Sequence, residues 1–61
     1  MNEVIIRRRA VQERTGLTRS TMYLYISKGE FPRPVALGLR AVGWRESEVN
    51  AWINARQVVR A

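Results

Sequence analysis

The sequence predicts an α+β fold, mostly helical, built from three short helices and a small β-hairpin. Three observations point to it. Apolar residues recur at i, i+3, i+4 in two stretches, Met22, Tyr25, Ile26 and Val49, Trp52, Ile53, so each stretch puts one apolar stripe on a helix. Gly16 and Gly29 stand where two helices should stop. Two strand-like runs, residues 35–37 and 41–44, flank the Gly-containing tip Gly38-Leu39-Arg40.

The elements follow in order. Val4-Ile5-Ile6 is a β-branched run and reads as a strand. After Arg7-Arg8-Arg9, residues Ala10 to Thr15 read as a short helix with Val11 facing inward and Ala10 beside it. About two turns fit before Gly16, so this helix depends on tertiary packing rather than on propensity. Leu17 falls in the turn, and Thr18 is a good N-cap for a second helix over residues 19–28, with Lys28 suiting the dipole of the last turn. Phe31-Pro32-Arg33-Pro34 cannot continue a helix and forces an extended passage into the hairpin. Glu46-Ser47-Glu48 then place acids in the first turn of a third helix, whose inward face is Val49, Trp52 and Ile53. Arg56 and Arg60 trail toward the end, and the chain beyond about Gln57 is expected to fray. No linker or repeat divides the sequence, so residues 1–61 read as a single domain.

Charge narrows the function. Eleven Lys+Arg against five Asp+Glu give +6; ten of the cations are Arg and all five acids are Glu. A pI near 11.4 points to a polyanionic partner, and Arg favours planar, bidentate recognition of phosphates and guanine edges. Without Cys or His there is no disulfide framework and no structural zinc site. Without His or Asp the usual Ser and Cys triads cannot be built. No apolar run approaches the roughly 20 residues of a membrane span, and no signal-peptide core is visible. The expectation is a cytoplasmic, non-enzymatic binding module with no cofactor, no metal, no membrane partner and no small-molecule substrate.

Two short helices joined at Gly16-Leu17 form a helix-turn-helix candidate, and the hairpin over residues 35–44 would be its wing. In such a pair the second helix enters the major groove with its N-terminal residues at the base edges. With Met22, Tyr25 and Ile26 facing inward, the opposite surface carries Arg19, Ser20, Tyr23 and Ser27. Arg19 is the leading base reader. Ser20 and Thr21 are first-turn hydroxyls that either contact phosphate or only cap. Tyr23 either packs on the backbone or a thymine methyl, or is half-buried core. Arg40, at the hairpin tip, is placed to enter a minor groove or simply to keep a turn soluble. Arg7, Arg8 and Arg9 read as a phosphate-facing patch, and Arg33 joins them as a further DNA-facing cation. Trp44 and Trp52 read as core anchors rather than stacking platforms.

These residues also carry a resemblance. Thr15-Gly16-Leu17-Thr18-Arg19-Ser20-Thr21-Met22-Tyr23, then Gly29-Glu30-Phe31-Pro32-Arg33-Pro34-Val35, then Leu37-Gly38-Leu39-Arg40-Ala41-Val42-Gly43-Trp44, and finally Glu46-Ser47-Glu48-Val49 with Trp52 closely resemble the AlpA family of prophage regulators. The resemblance covers residues 4 to about 56. It implies a small winged-helix DNA-binding domain, similar to MerR-like and excisionase domains, and a role in prophage or mobile-element gene control. The chain departs from the family pattern with Thr18 in place of Ser, which keeps the capping chemistry. Leu24 replaces a residue that is often polar or basic, and the Arg7–Arg9 entrance is unusually basic.

The expected function is therefore sequence-specific binding of double-stranded DNA by a transcriptional regulator, with helix 19–28 in the major groove. The alternative keeps the fold but makes it an excisionase-like architectural protein that binds adjacent sites cooperatively and bends DNA. An RNA or protein-interaction module is weaker, because RNA readers usually present exposed aromatics. One domain offers a small footprint, so specificity calls for self-association on DNA. With no heptad tail, the chain is expected to be a monomer in solution.

Overall fold

β-Branching at Ile5 and Ile6 gives a two-residue strand, β1 (Ile5–Ile6), near the start of the computed structural model, which describes residues 3–56. Then follow α1 (Arg8–Thr15), α2 (Arg19–Ser27), β2 (Val35–Ala36), β3 (Val42–Arg45) and α3 (Glu46–Asn54). This is the α+β, winged helix-turn-helix arrangement expected from the sequence. Arg60 and the expected fraying beyond Gln57 lie outside the described residues.

Helix α1 starts two residues earlier than the sequence reading places it. Arg7 is the extended N-cap (φ −85°, ψ 165°), and Arg8 and Arg9 already belong to the helix. Arg is a good helix former, so nothing local delays the start to Ala10. Gly16 then takes the left-handed conformation (φ 75°), and its N–H donates to the Gln12 carbonyl at 2.8 Å, closing α1. The Thr15 hydroxyl donates to the Val11 carbonyl at 2.8 Å and accepts from the Leu17 N–H at 3.3 Å, which fixes the turn into α2. Thr18 caps α2 as expected, accepting from the Thr21 N–H at 3.2 Å. At the far end Gly29 (φ 74°) donates to the Ile26 carbonyl at 3.0 Å, and Glu30 to the Tyr25 carbonyl at 2.8 Å. That pair of bonds is a complete Schellman stop.

The sheet holds a feature the local pattern did not reveal. β3 is its central strand, in the order β1-β3-β2. Its first half pairs with β2 (Val35↔Gly43, Ala36↔Val42) to make the wing, and its second half pairs with β1 (Ile5↔Arg45, Ile6↔Trp44), both antiparallel. Gly43 sits where the three strands come closest. A Cβ there would lie 2.5 Å from Ile5 Cγ2 and 3.0 Å from the Ile6 carbonyl oxygen.

Every element but β2 contributes one side chain to the centre, and the passage after α2 adds another: Ile6, Val11, Met22, Phe31, Trp44 and Val49 are buried. Burying side chains of this size contributes about 1.5–3 kcal/mol each, which lets helices this short persist. The Phe-Pro passage is pinned by both tryptophans. Trp44 Nε1 donates to the Pro32 carbonyl at 2.9 Å and Trp52 Nε1 to the Glu30 carbonyl at 2.8 Å, on either side of Phe31. Phe31 packs edge-on against Trp52 with ring centroids 5.0 Å apart.

Helix α3 is capped from a distance. Its own N-cap, Arg45, makes no side-chain cap, but the Val4 carbonyl accepts from the Glu46 N–H at 2.8 Å. The Glu3 carboxylate accepts from the Ser47 hydroxyl at 2.7 Å and from the Ser47 N–H at 3.3 Å. Arg14 reaches Glu46 at 2.8 Å and ties α1 to the same helix end.

Candidate nucleic-acid interface

The orientation of α2 follows from its stripe. Met22 is completely buried, Tyr25 and Ile26 are half-buried against the core, and Arg19 and Ser20 are exposed. Thr21 is half-buried, and its hydroxyl is held at 3.0 Å by that of Thr18, so its first role is in the cap. The Ser27 hydroxyl is exposed and donates to the Leu24 carbonyl at 2.7 Å. Leu24 lies on the outward side, half exposed.

Tyr23 stands between the core and solvent. At 38% exposure it is neither core nor free; its ring stands edge-on to Trp44, centroids 6.5 Å apart. The Arg19 guanidinium lies 5.9 Å from the Tyr23 ring centroid, within cation–π range. The buried indole thus sets the tyrosine, and the tyrosine supports the arginine.

Beside Tyr23 opens a cleft of about 300 Å³ lined by Arg7, Arg8, Arg9, Tyr23, Arg40 and Val42. It gathers four of the expected cations and the aromatic residue from three parts of the chain: the entrance to α1, the outward face of α2 and the wing. No acid lines it. Glu13 lies 3.8 Å from Arg9, but both side chains are largely in solvent, so the pair is weak and free to reorganise. The N-terminus of α1 has no side-chain cap and no acid in its first turn, so the arginines there oppose the helix dipole. Arg33 is exposed in the extended passage and does not line this cleft, nor does Ser27. Leu39, at the wing tip beside Arg40, is fully exposed.

Comparison with known proteins agrees with the resemblance read from the motifs. Residues 4–57 match the family described as prophage CP4-57 regulatory protein (AlpA). The chain belongs to the AlpA family. One relative is the DNA-binding transcriptional activator AlpA of Escherichia coli (strain K12), 34% identical across 85% of this chain and 83% of its own length. Another is uncharacterized protein ORF88 of Enterobacteria phage P4, 56% identical across 67% of this chain. The match covers 47% of ORF88, so this AlpA-family chain spans about half the length of that relative. Among the described residues no helix is long and apolar enough to cross a membrane.

Missing from the sequence reading of the site was the convergence itself. Arg7–Arg9, Tyr23 and Arg40 are separated in sequence by more than a helix length. The only advance signal was that the Arg run immediately preceded a helix-turn-helix candidate.

Proposed function

We propose that this AlpA-family chain is a sequence-specific, double-stranded DNA-binding protein that regulates transcription in a prophage or mobile element. Helix α2 enters the major groove and the wing lies alongside the duplex. One observation carries the reading: α2 buries Met22 while Arg19 and Ser20 stand in solvent beside a basic cleft that the wing completes. A long, planar donor in the first turn of such a helix matches the paired acceptors of guanine in the major groove. The printed function of the Escherichia coli relative, a DNA-binding transcriptional activator, supports the same reading. Ser20 and Ser27 add short polar contacts on that face, Thr21 supports the helix start, and Arg33 adds a cation toward the backbone.

A single small module covers only about 600–1,000 Å² of protein surface on DNA. Two or more copies on adjacent sites then supply useful specificity. Selection from a random duplex library at about 0.15 M salt, followed by gel shift on the recovered duplex, tests the reading. The expected result is a short enriched motif, bound with a log–log salt slope near −4.5 if about five phosphates are neutralised. Recovery of no motif, or tighter binding to single strands than to duplex, would overturn it.

A further inference from the structure

We infer that the cleft between the wing and the start of α1 is a clamp for the phosphodiester backbone of one DNA strand. On this inference Tyr23 and Arg40 contact that backbone, rather than a base and a minor groove. It rests on the duplex-binding reading and divides the interface into two parts with different work.

The division follows from where the side chains stand. Arg7, Arg8, Arg9 and Arg40 face a common concave space with no carboxylate in its lining. Glu13, 3.8 Å from Arg9, lies largely in solvent and offsets little of this charge, so the four arginines that line the cleft repel one another, and a chain of regularly spaced anions relieves that repulsion. The cleft is too open and too cationic for an apolar ligand, and its walls come from separate elements, as a strand passing between them requires. Tyr23 lies in the lining with its ring fixed edge-on by the buried Trp44. A hydroxyl held there donates to a phosphate oxygen and cannot follow a base edge as Arg19 does one turn earlier. Arg40 lines the cleft from the wing, so its guanidinium meets the strand that separates the two grooves. The Arg19 guanidinium, stacked near the Tyr23 ring, sits where the clamp gives way to the base-reading surface. The clamp thereby sets how deep and at what angle α2 lies, while carrying no sequence information of its own.

The test measures affinity by fluorescence anisotropy for the duplex recovered by selection and for a scrambled duplex of equal length, across a salt series. It compares wild type with Arg8→Ala/Arg40→Ala, Tyr23→Phe and Arg19→Ala, each checked for folding by circular dichroism. The clamp predicts that Arg8→Ala/Arg40→Ala weakens both duplexes by the same factor and makes the salt slope shallower by about 2. Tyr23→Phe weakens both equally, by roughly tenfold, for loss of a hydrogen bond to a charged group. Arg19→Ala alone reduces the preference for the selected duplex. An unchanged slope in the double variant, or a larger loss on the selected than on the scrambled duplex for Tyr23→Phe, overturns the clamp while duplex recognition stands. If wild type holds neither duplex, the duplex-binding reading fails and takes the clamp with it.

Discussion

Replacing Trp44 by Phe should remove a large share of the stability, whereas the same change at Trp52 should not. Trp44 is completely buried, and its indole N–H is the donor to the Pro32 carbonyl at 2.9 Å. Phe, whose ring takes the place of the five-membered ring next to Cβ, removes that donor and leaves a gap at the outer edge of the six-membered ring. Leaving that part-buried acceptor without its partner costs about 1–3 kcal/mol. The missing ring atoms, roughly 40 Å² of apolar surface at about 25 cal/mol per Å², add about 1 kcal/mol. Together the cost is about 2–4 kcal/mol, against a total of about 3–9 kcal/mol for a chain of this length. Trp52 is half-buried, and its bond to the Glu30 carbonyl lies at the surface, where water can replace the indole. Trp52→Phe should therefore cost only about 0.5–1.5 kcal/mol. Urea unfolding followed by far-ultraviolet circular dichroism measures both; each variant should shift the midpoint without changing the slope. Equal costs at the two positions, or less than about 1 kcal/mol at Trp44, would refute the claim that the wing strand is locked to the Phe-Pro passage through a buried indole.

Other outcomes follow from the same geometry. Gly43→Ala should destabilise the domain by about 1–3 kcal/mol in the same unfolding assay, because the added methyl meets Ile5 Cγ2 and the Ile6 carbonyl. Thr18→Ala should cost about 0.5–2 kcal/mol and Thr18→Ser much less, since only the capping oxygen matters. Bonds from Ser47, and then the nearby Arg45 charge, hold the Glu3 carboxyl below its ordinary value. A depressed carboxylate stabilises the fold above its unfolded value and loses that contribution as pH falls through its folded value. Wild type should thus exceed Glu3→Gln in melting temperature at neutral pH, and the gap should close on acidification below the ordinary glutamate range. A gap that persists there would assign the effect to something other than the charge.

The parts of the fold that could be read in advance are those fixed by neighbours in sequence. The Met22, Tyr25, Ile26 stripe sets which way α2 faces, Thr18 and Gly29 set its ends, and the Gly-containing tip sets the hairpin. All are short-range effects of side-chain spacing, capping and left-handed glycine. Hidden features depend on contacts distant in sequence. Pairing of β1 with the second half of β3, the close approach at Gly43, and the Glu3 cap on Ser47, 44 residues away, have no local signature. The interface divides in the same way. Exposure of Arg19 and Ser20 follows from the stripe on their own helix, whereas the basic cleft exists only because the wing folds back beside α1. Tyr23 could not be assigned from sequence because its ring serves both sides, leaning on Trp44 within and lining the cleft without.

The central claim is that the outward face of α2 reads base sequence, and the direct measurement is the ratio of affinities for selected and scrambled duplex in Arg19→Ala. Loss of a bidentate guanine contact of about 1–3 kcal/mol predicts that this ratio falls by roughly 5- to 150-fold, with scrambled-duplex affinity nearly unchanged. A variant that keeps the wild-type ratio, whatever its absolute affinity, would contradict the account.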